Sequence, residues 1–215
     1  SGTTYTTTFT VPAGNYGTKR LRFRTNWLGS TSDPCGNVTY GNSGDFNVDI
    51  PAPAKMFLGN ITATQDTSDC FISQNLVKIM TATVNTYNGI ADPLPIDTVW
   101  FSTNGTTNAA DIKNVRIFHT DGNPLSSYNQ LGDPIANPNG TFMFVFDSGT
   151  VLGYGDNHLY LAYDISYTAT PGNKIDCQLL AARINDTIRT AGTAGNPAGN
   201  RTIVHPKDYT NYCAY

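Results

Sequence analysis

At 215 residues the chain has room for one generous domain or two small ones, and its 39% hydrophobic content supports a folded core. Charged residues make up 13% and the formal net charge is −3 with no long run of one sign, which argues against a nucleic-acid partner. All sixteen acidic residues are aspartate; glutamate is absent and Thr, Asn and Gly are abundant, so a mainly helical protein is excluded and an all-β fold expected.

In chain order, residues 4–10 (TYTTTFT) suit a strand and lead into a turn at Val11-Pro12-Ala13-Gly14. Residues 19–25 form a second strand, with Arg20, Arg22 and Arg24 on one face and Leu21 and Phe23 on the other. The plain reading of that basic stripe is a solvated outer face. A Gly-rich loop over 29–44 follows, then the alternating run Phe46-Asn47-Val48-Asp49-Ile50. Pro51-Ala52-Pro53-Ala54 reads as a short stiff linker. Residues 1–52 thus form a partial β module with three strands, too few for an independent core. It needs completion, by further chain or by strand addition from another chain.

Residues 53–205 read as one continuous β domain. Strands are expected over 56–64, 76–84, 98–102, 114–120, 141–147, 158–165, 175–184 and 201–204, punctuated by Gly/Pro/Asn/Asp turns. The clearest are 141–147, with Phe142, Phe144 and Phe146 at every second position, and 158–165, with Leu159, Leu161, Tyr163 and Ile165. Eight strands at this spacing predict an antiparallel β-sandwich, jelly-roll or Ig-like. Helix is expected only as a short turn near 108–112. Residues 206–215 read as a linker and the start of a following module. No apolar run reaches the eighteen residues of a membrane span.

Two stretches carry a resemblance. VPAGNYGTKRLRFRTNW followed by DPCGNVTYGNSGDFNVDI resembles the second half of the GEVED domain, a β module of large secreted proteins of Bacteroidota-type bacteria. The naming motif aligns with Gly41-Asn42-Ser43-Gly44-Asp45-Phe46, where both glutamates are replaced. The second stretch comprises Phe101 to Thr106, Asp111 to Val115, Asn139 to Phe142, Leu159 to Ile165 and Ala169 to Asp176. It resembles the accessory domain on the N-terminal side of BNR-repeat sialidase-like proteins. Together these resemblances imply a non-enzymatic structural or adhesive segment of a large secreted cell-surface or extracellular filament protein. The alternative is a carbohydrate-binding accessory domain of a secreted glycosidase or peptidase.

No nucleophile elbow is present, and the three histidines, His119, His158 and His205, lie at strand edges or beside proline, so no enzyme activity is expected. The repeated Ser-x-Asp-x-Gly-x-x-Trp turns of a catalytic sialidase propeller are also missing from the sequence. Calcium is the ion that loop aspartates would suit, with Asp147, Asp156, Asp164 and Asp176 bracketing the central strands. Glycans would stack on exposed rings, for which Trp27, Tyr40, Tyr154 and Tyr160 are the candidates. Four cysteines allow three complete pairings. Cys70 and Cys177 both fall in the sandwich and are expected to pair, closing a loop of about a hundred residues worth several kcal/mol in the chain-entropy model. Cys35 and Cys213 belong to the two partial modules and pair within them or between chains.

Overall fold

The structure, a computed structural model, describes residues 4–206 apart from 5, 7, 13, 27–32, 34, 38–39, 121–128 and 148. The chain divides into two compact units, Ser1–Pro53 and Ala54–Tyr215.

The first unit is a ribbon of two ten-residue antiparallel strands, β1 (Gly17–Asn26) and β2 (Gly41–Ile50). Alternation along a strand sends Leu21, Phe23, Phe46, Val48 and Ile50 to one face, where Phe23 and Phe46 meet edge-to-face at 5.6 Å. The other face carries Arg20, Arg22 and Arg24 opposite Asn47, Asp45 and Ser43. Arg22 holds Asp45 in a two-pronged pair at 2.6 and 2.8 Å, and this contact draws the Asp45 carboxyl below its ordinary pKa. Arg24 donates to the carbonyls of Asp33 and Gly36. Two of the stripe's three arginines, Arg22 and Arg24, are therefore engaged within the unit. The described residues of 4–10 lie outside any strand, contrary to the pattern-based expectation.

The second unit is a β-sandwich. Its larger sheet has the order β3 (Phe57–Gln65), β5 (Val77–Tyr87), β11 (Gly155–Ile165), β7 (Ile112–Thr120) and β8 (Asn129–Gln130), with β9 (Ile135–Ala136) also pairing with β7. The opposing sheet has the order β10 (Thr141–Val145), β6 (Ile96–Ser102), β13 (Gln178–Ile184) and β14 (Thr187–Thr190). A small third sheet places β15 (Arg201–Val204) between β12 (Lys174–Ile175) and β4 (Cys70–Phe71). Among the described strands only β15 and β4 pair in parallel; an isolated parallel bridge joins Lys55 and Ala91. The expected turn near 108 is a short 3-10 segment, Ala109–Asp111, in which the Ala110 N–H donates to the Asn108 side chain.

Both of the clearest sequence patterns are buried, but not side by side. Phe142 and Phe144 lie on β10 and Leu159, Leu161, Tyr163 and Ile165 on β11, in different sheets of one shared core. Phe101 joins the rings of Phe142 at 5.9 Å and Phe144 at 6.4 Å. Val77, Ile79, Val84, Val115 and Ile117 from the larger sheet complete the filling.

The strand expected over 175–184 is two strands in two sheets. At Asp176 the chain leaves the β12–β15 pairing, held by Thr106 Oγ1, which accepts from the Asp176 N–H and donates to its carbonyl, both at 2.9 Å. Strand β14 was not expected, because Thr187-Ile188-Arg189-Thr190 is exposed on all sides and shows no burial rhythm. It forms because Asn185 and Asp186 both take positive φ (47° and 57°), the geometry of a two-residue hairpin turn. Among the described residues no helix is long and apolar enough to cross a membrane.

Candidate functional site

The outward face of the larger sheet gathers three of the side chains singled out by sequence, Asp156, Tyr160 and Asp164. On central β11 the inward positions fill the core, which leaves Asp156, His158, Tyr160, Ala162 and Asp164 on the opposite face. Register brings Asn85 beside Asp156, Thr83 beside His158, and Thr81 beside Tyr160 from β5. From β7 it brings Phe118 beside Tyr160 and Asn114 beside Asp164.

Asp156, His158 and Asp164 in this row each have a defined partner. Asn85 donates to Asp156 at 2.6 Å, and Thr83 Oγ1 meets His158 Nδ1 at 3.1 Å. Asp164 is buried. It accepts from the Leu76 N–H at 3.0 Å, Asn114 Nδ2 at 3.1 Å and Arg116 Nη2 at 3.1 Å. Burial pushes its carboxyl upward, but these hydrogen bonds and the Arg116 charge outweigh burial and hold the pKa below the ordinary range.

Tyr160 is not an exposed platform. It is 5% exposed, on the central strand, with Lys78 Nζ 5.6 Å from its ring centre and His158 at 6.3 Å. Leu76, Lys78, Phe118, Tyr160 and Ala162 leave only a small dimple of about 140 Å³ there. Tyr154 and Tyr40 are exposed, Tyr40 on the first unit, and Trp27 lies outside the described residues.

The sequence missed an exposed ring pair on the second unit. Phe57 and Tyr87 are direct cross-strand neighbours, 49% and 51% exposed, with centroids 5.9 Å apart and planes 35° apart. Tyr154 precedes Gly155, which pairs with Thr86, so all three rings belong to the same end of the sheet. The available signal was an aromatic at each strand boundary, Phe57 opening β3 and Tyr87 closing β5.

The four aspartates considered for calcium do not converge. Asp156 and Asp164 stand eight residues apart on one strand, about 27 Å by strand rise. Asp164 is committed to Arg116, while Asp176 accepts from the Cys177 N–H at 2.7 Å and Asp147 is exposed. Burial raises the Asp176 carboxyl despite that hydrogen bond. No group of three or more metal-ligating side chains occurs among the described residues.

The expected Cys70–Cys177 bridge is absent too. Both thiols are free and buried. Strand β15 lies between β4, which carries Cys70, and β12, which runs into Cys177. β12 thus lies about 9.6 Å, two strand spacings, from β4, and the chain turns away at Asp176 before reaching Cys177. Cys70 Sγ instead donates to the Thr202 carbonyl at 3.6 Å, and burial raises the Cys177 thiol to about 12. Cys35 is free and exposed; Cys213 lies outside the described residues.

A buried frame supports the site from behind. Asp111 accepts from the Thr170 N–H at 3.1 Å and from Asn173 Nδ2 at 2.7 Å. Arg201 donates to the Lys78 carbonyl at 2.7 Å and pairs with Asp66 at 3.0 Å. These charges are spent on tying loops to strands.

No family model and no curated protein matches the chain. Among solved structures its fold is similar to part of the Hadza microbial sialidase Hz136, with a TM-score of 0.51 and 8% sequence identity. The match covers 66% of this chain and 30% of that one. At that identity the likeness is one of fold: this is an all-β sandwich of a kind found within a sialidase chain.

Proposed function

We propose that the chain is a non-catalytic accessory segment of a larger secreted, cell-surface protein, in which a GEVED-like ribbon precedes an accessory β-sandwich and the whole acts as an adhesive or spacer unit. The observation that carries this reading is the ribbon's apolar face. Phe23 is 50% and Phe46 55% exposed on a two-stranded element, which buries too little to be stable alone. Such a face calls for a neighbouring module or a second chain. Sedimentation of the full chain over a concentration series tests it. Association that Phe46→Asp abolishes without lowering the Tm of the sandwich is expected; a monomer throughout, with the ribbon protected from proteolysis, overturns it.

A second reading, a carbohydrate-binding accessory domain, is supported by the exposed Phe57–Tyr87 pair at one end of the larger sheet. Stacked rings at a sheet surface offer flat apolar faces to the C–H faces of sugars. A glycan array with the full chain tests it. Saturable binding supports it and uniform silence removes it.

A further inference from the structure

One side of the sandwich is only partly covered, by a short 3-10 turn, Gly192–Gly195, that packs on β3 and β13. There β3 ends the larger sheet and β14 ends the opposing one. Two adjoining hollows lie between them, of about 380 and 690 Å³, and share Leu58 and Arg189 as walls. The cleft follows β3 from Phe57 to Thr62, about 17 Å of strand.

Its walls are mixed in a specific way. Phe57, whose ring stands beside Tyr87, forms the apolar rim at one end. Asn60, Thr62, Asn185, Thr187 and Thr190 line the remainder with amides and hydroxyls. Lys55 and Asp92 neutralise each other at 3.0 Å. Arg189, in contrast, has no ion-pair or hydrogen-bond partner among the described residues and stands where the two hollows meet. The cleft therefore presents one uncompensated guanidinium between an aromatic rim and a polar floor.

An added polypeptide strand fits this side poorly. β3 has an extra residue between Leu58 and Ile61 relative to β5, a bulge that breaks the regular ladder spacing. β14 is only four residues long and carries Arg189. Short, bulged and charged edges resist strand pairing.

We propose that this cleft binds an extended polysaccharide bearing carboxylate groups, of the uronate class, an inference that rests on the carbohydrate-binding reading. A pyranose stacks on Phe57 and Tyr87, and the chain runs along β3. The carboxylate of an inner sugar meets the Arg189 guanidinium in a two-pronged pair, as planar carboxylates do.

The test is calorimetric titration of the full chain with polygalacturonate, with dextran as the neutral comparison. Polygalacturonate is expected to bind and dextran to bind at least about tenfold more weakly, a difference of about 1.4 kcal/mol. Arg189→Ala, at an exposed position, is expected to weaken polygalacturonate about tenfold with the Tm unchanged. Phe57→Ala is expected to weaken both glycans. Equal binding by wild type and Arg189→Ala, or equal affinity for the two glycans, overturns the cleft assignment. Binding that survives both variants but disappears in Tyr154→Ala or Tyr40→Ala keeps the carbohydrate reading and overturns the cleft. Silence of the wild type toward every glycan overturns both.

Discussion

The carboxylate of Asp164, buried on β11, accepts from the Arg116 guanidinium at 3.1 Å across the β11–β7 pairing. The same carboxylate takes the Leu76 N–H at 3.0 Å, so one side chain joins the strand to the chain leading into β5. Asp164→Ala leaves that amide without its acceptor and the guanidinium with only Gln130 Oε1, at 3.4 Å. It is expected to cost about 3 kcal/mol, read as a lower urea midpoint with an unchanged m-value. A loss no larger than that of an exposed change such as Asp147→Ala would show that the contact is dispensable.

Acid should weaken the sandwich through the same group. The Asp164 and Asp66 carboxyls are held below their ordinary pKa, each against the upward push of burial. Asp66 is held down by hydrogen bonds from Ser68 and by the charges of Arg201 and Lys78. A depressed folded-state pKa contributes stability that is full above the unfolded value of about 3.9 and is lost as pH falls through the lower folded value. Tm measured from pH 7 downward should therefore stay level to about pH 5 and then drop, with a shallower drop in Asp164→Ala.

Thiol labelling separates the three described cysteines. Burial raises Cys70 and pushes Cys177 up to about 12, and both are enclosed, whereas Cys35 is exposed. Iodoacetamide followed by peptide mass spectrometry should mark Cys35 in the native protein and reach Cys70 and Cys177 only after denaturation. A Cys70–Cys177 cross-linked peptide in the unreduced digest would overturn the free-thiol assignment.

Phe101 packs against both Phe142 and Phe144 and has no exposed surface. Phe101→Ala opens a cavity at the centre of the smaller sheet, where a collapse would have to move two other rings. The expected cost is about 4 kcal/mol. Phe101→Leu should recover more than half of it. Equal losses for the two variants would mean that ring packing is not what is being lost.

A Cβ on Gly89 would collide with the carbonyl of Ala54. That carbonyl already accepts from the Ala91 N–H at 3.0 Å, tying the start of the second unit to the turn after β5. Gly89→Ala is expected to destabilise by about 2 kcal/mol through overpacking, and to speed proteolysis near residue 54. Proteolysis at the wild-type rate would show that the turn yields without loosening this tie.

The strands were legible in the sequence where one face is buried and the other wet, because a period of two then marks the chain. Phe142 with Phe144, and Leu159 with Leu161 and Tyr163, announced β10 and β11 in this way. Strand β14 was silent, since Thr187 to Thr190 are exposed on both faces; only Asn185-Asp186 hinted at the turn that makes it.

The candidate site was less legible. Tyr160 was read as a surface ring, but a position on the outward face of a sheet says nothing about the neighbours that cover it, here Lys78 and Phe118. Phe57 and Tyr87, thirty residues apart, become a pair only through the β3–β5 register. Cys70 and Cys177 looked like partners because they share a domain, but β15 separates β4, which holds Cys70, from β12, which ends just before Cys177.

Composition and periodicity by themselves determined that this chain is all-β and where most of its strands run, since both follow from local propensity and from which side chains avoid water. Which strands became neighbours was decided only by the tertiary structure. Pairing depends on contacts between residues far apart in sequence, and that alone set β3 and β14 on the same partly covered side with Arg189 between them.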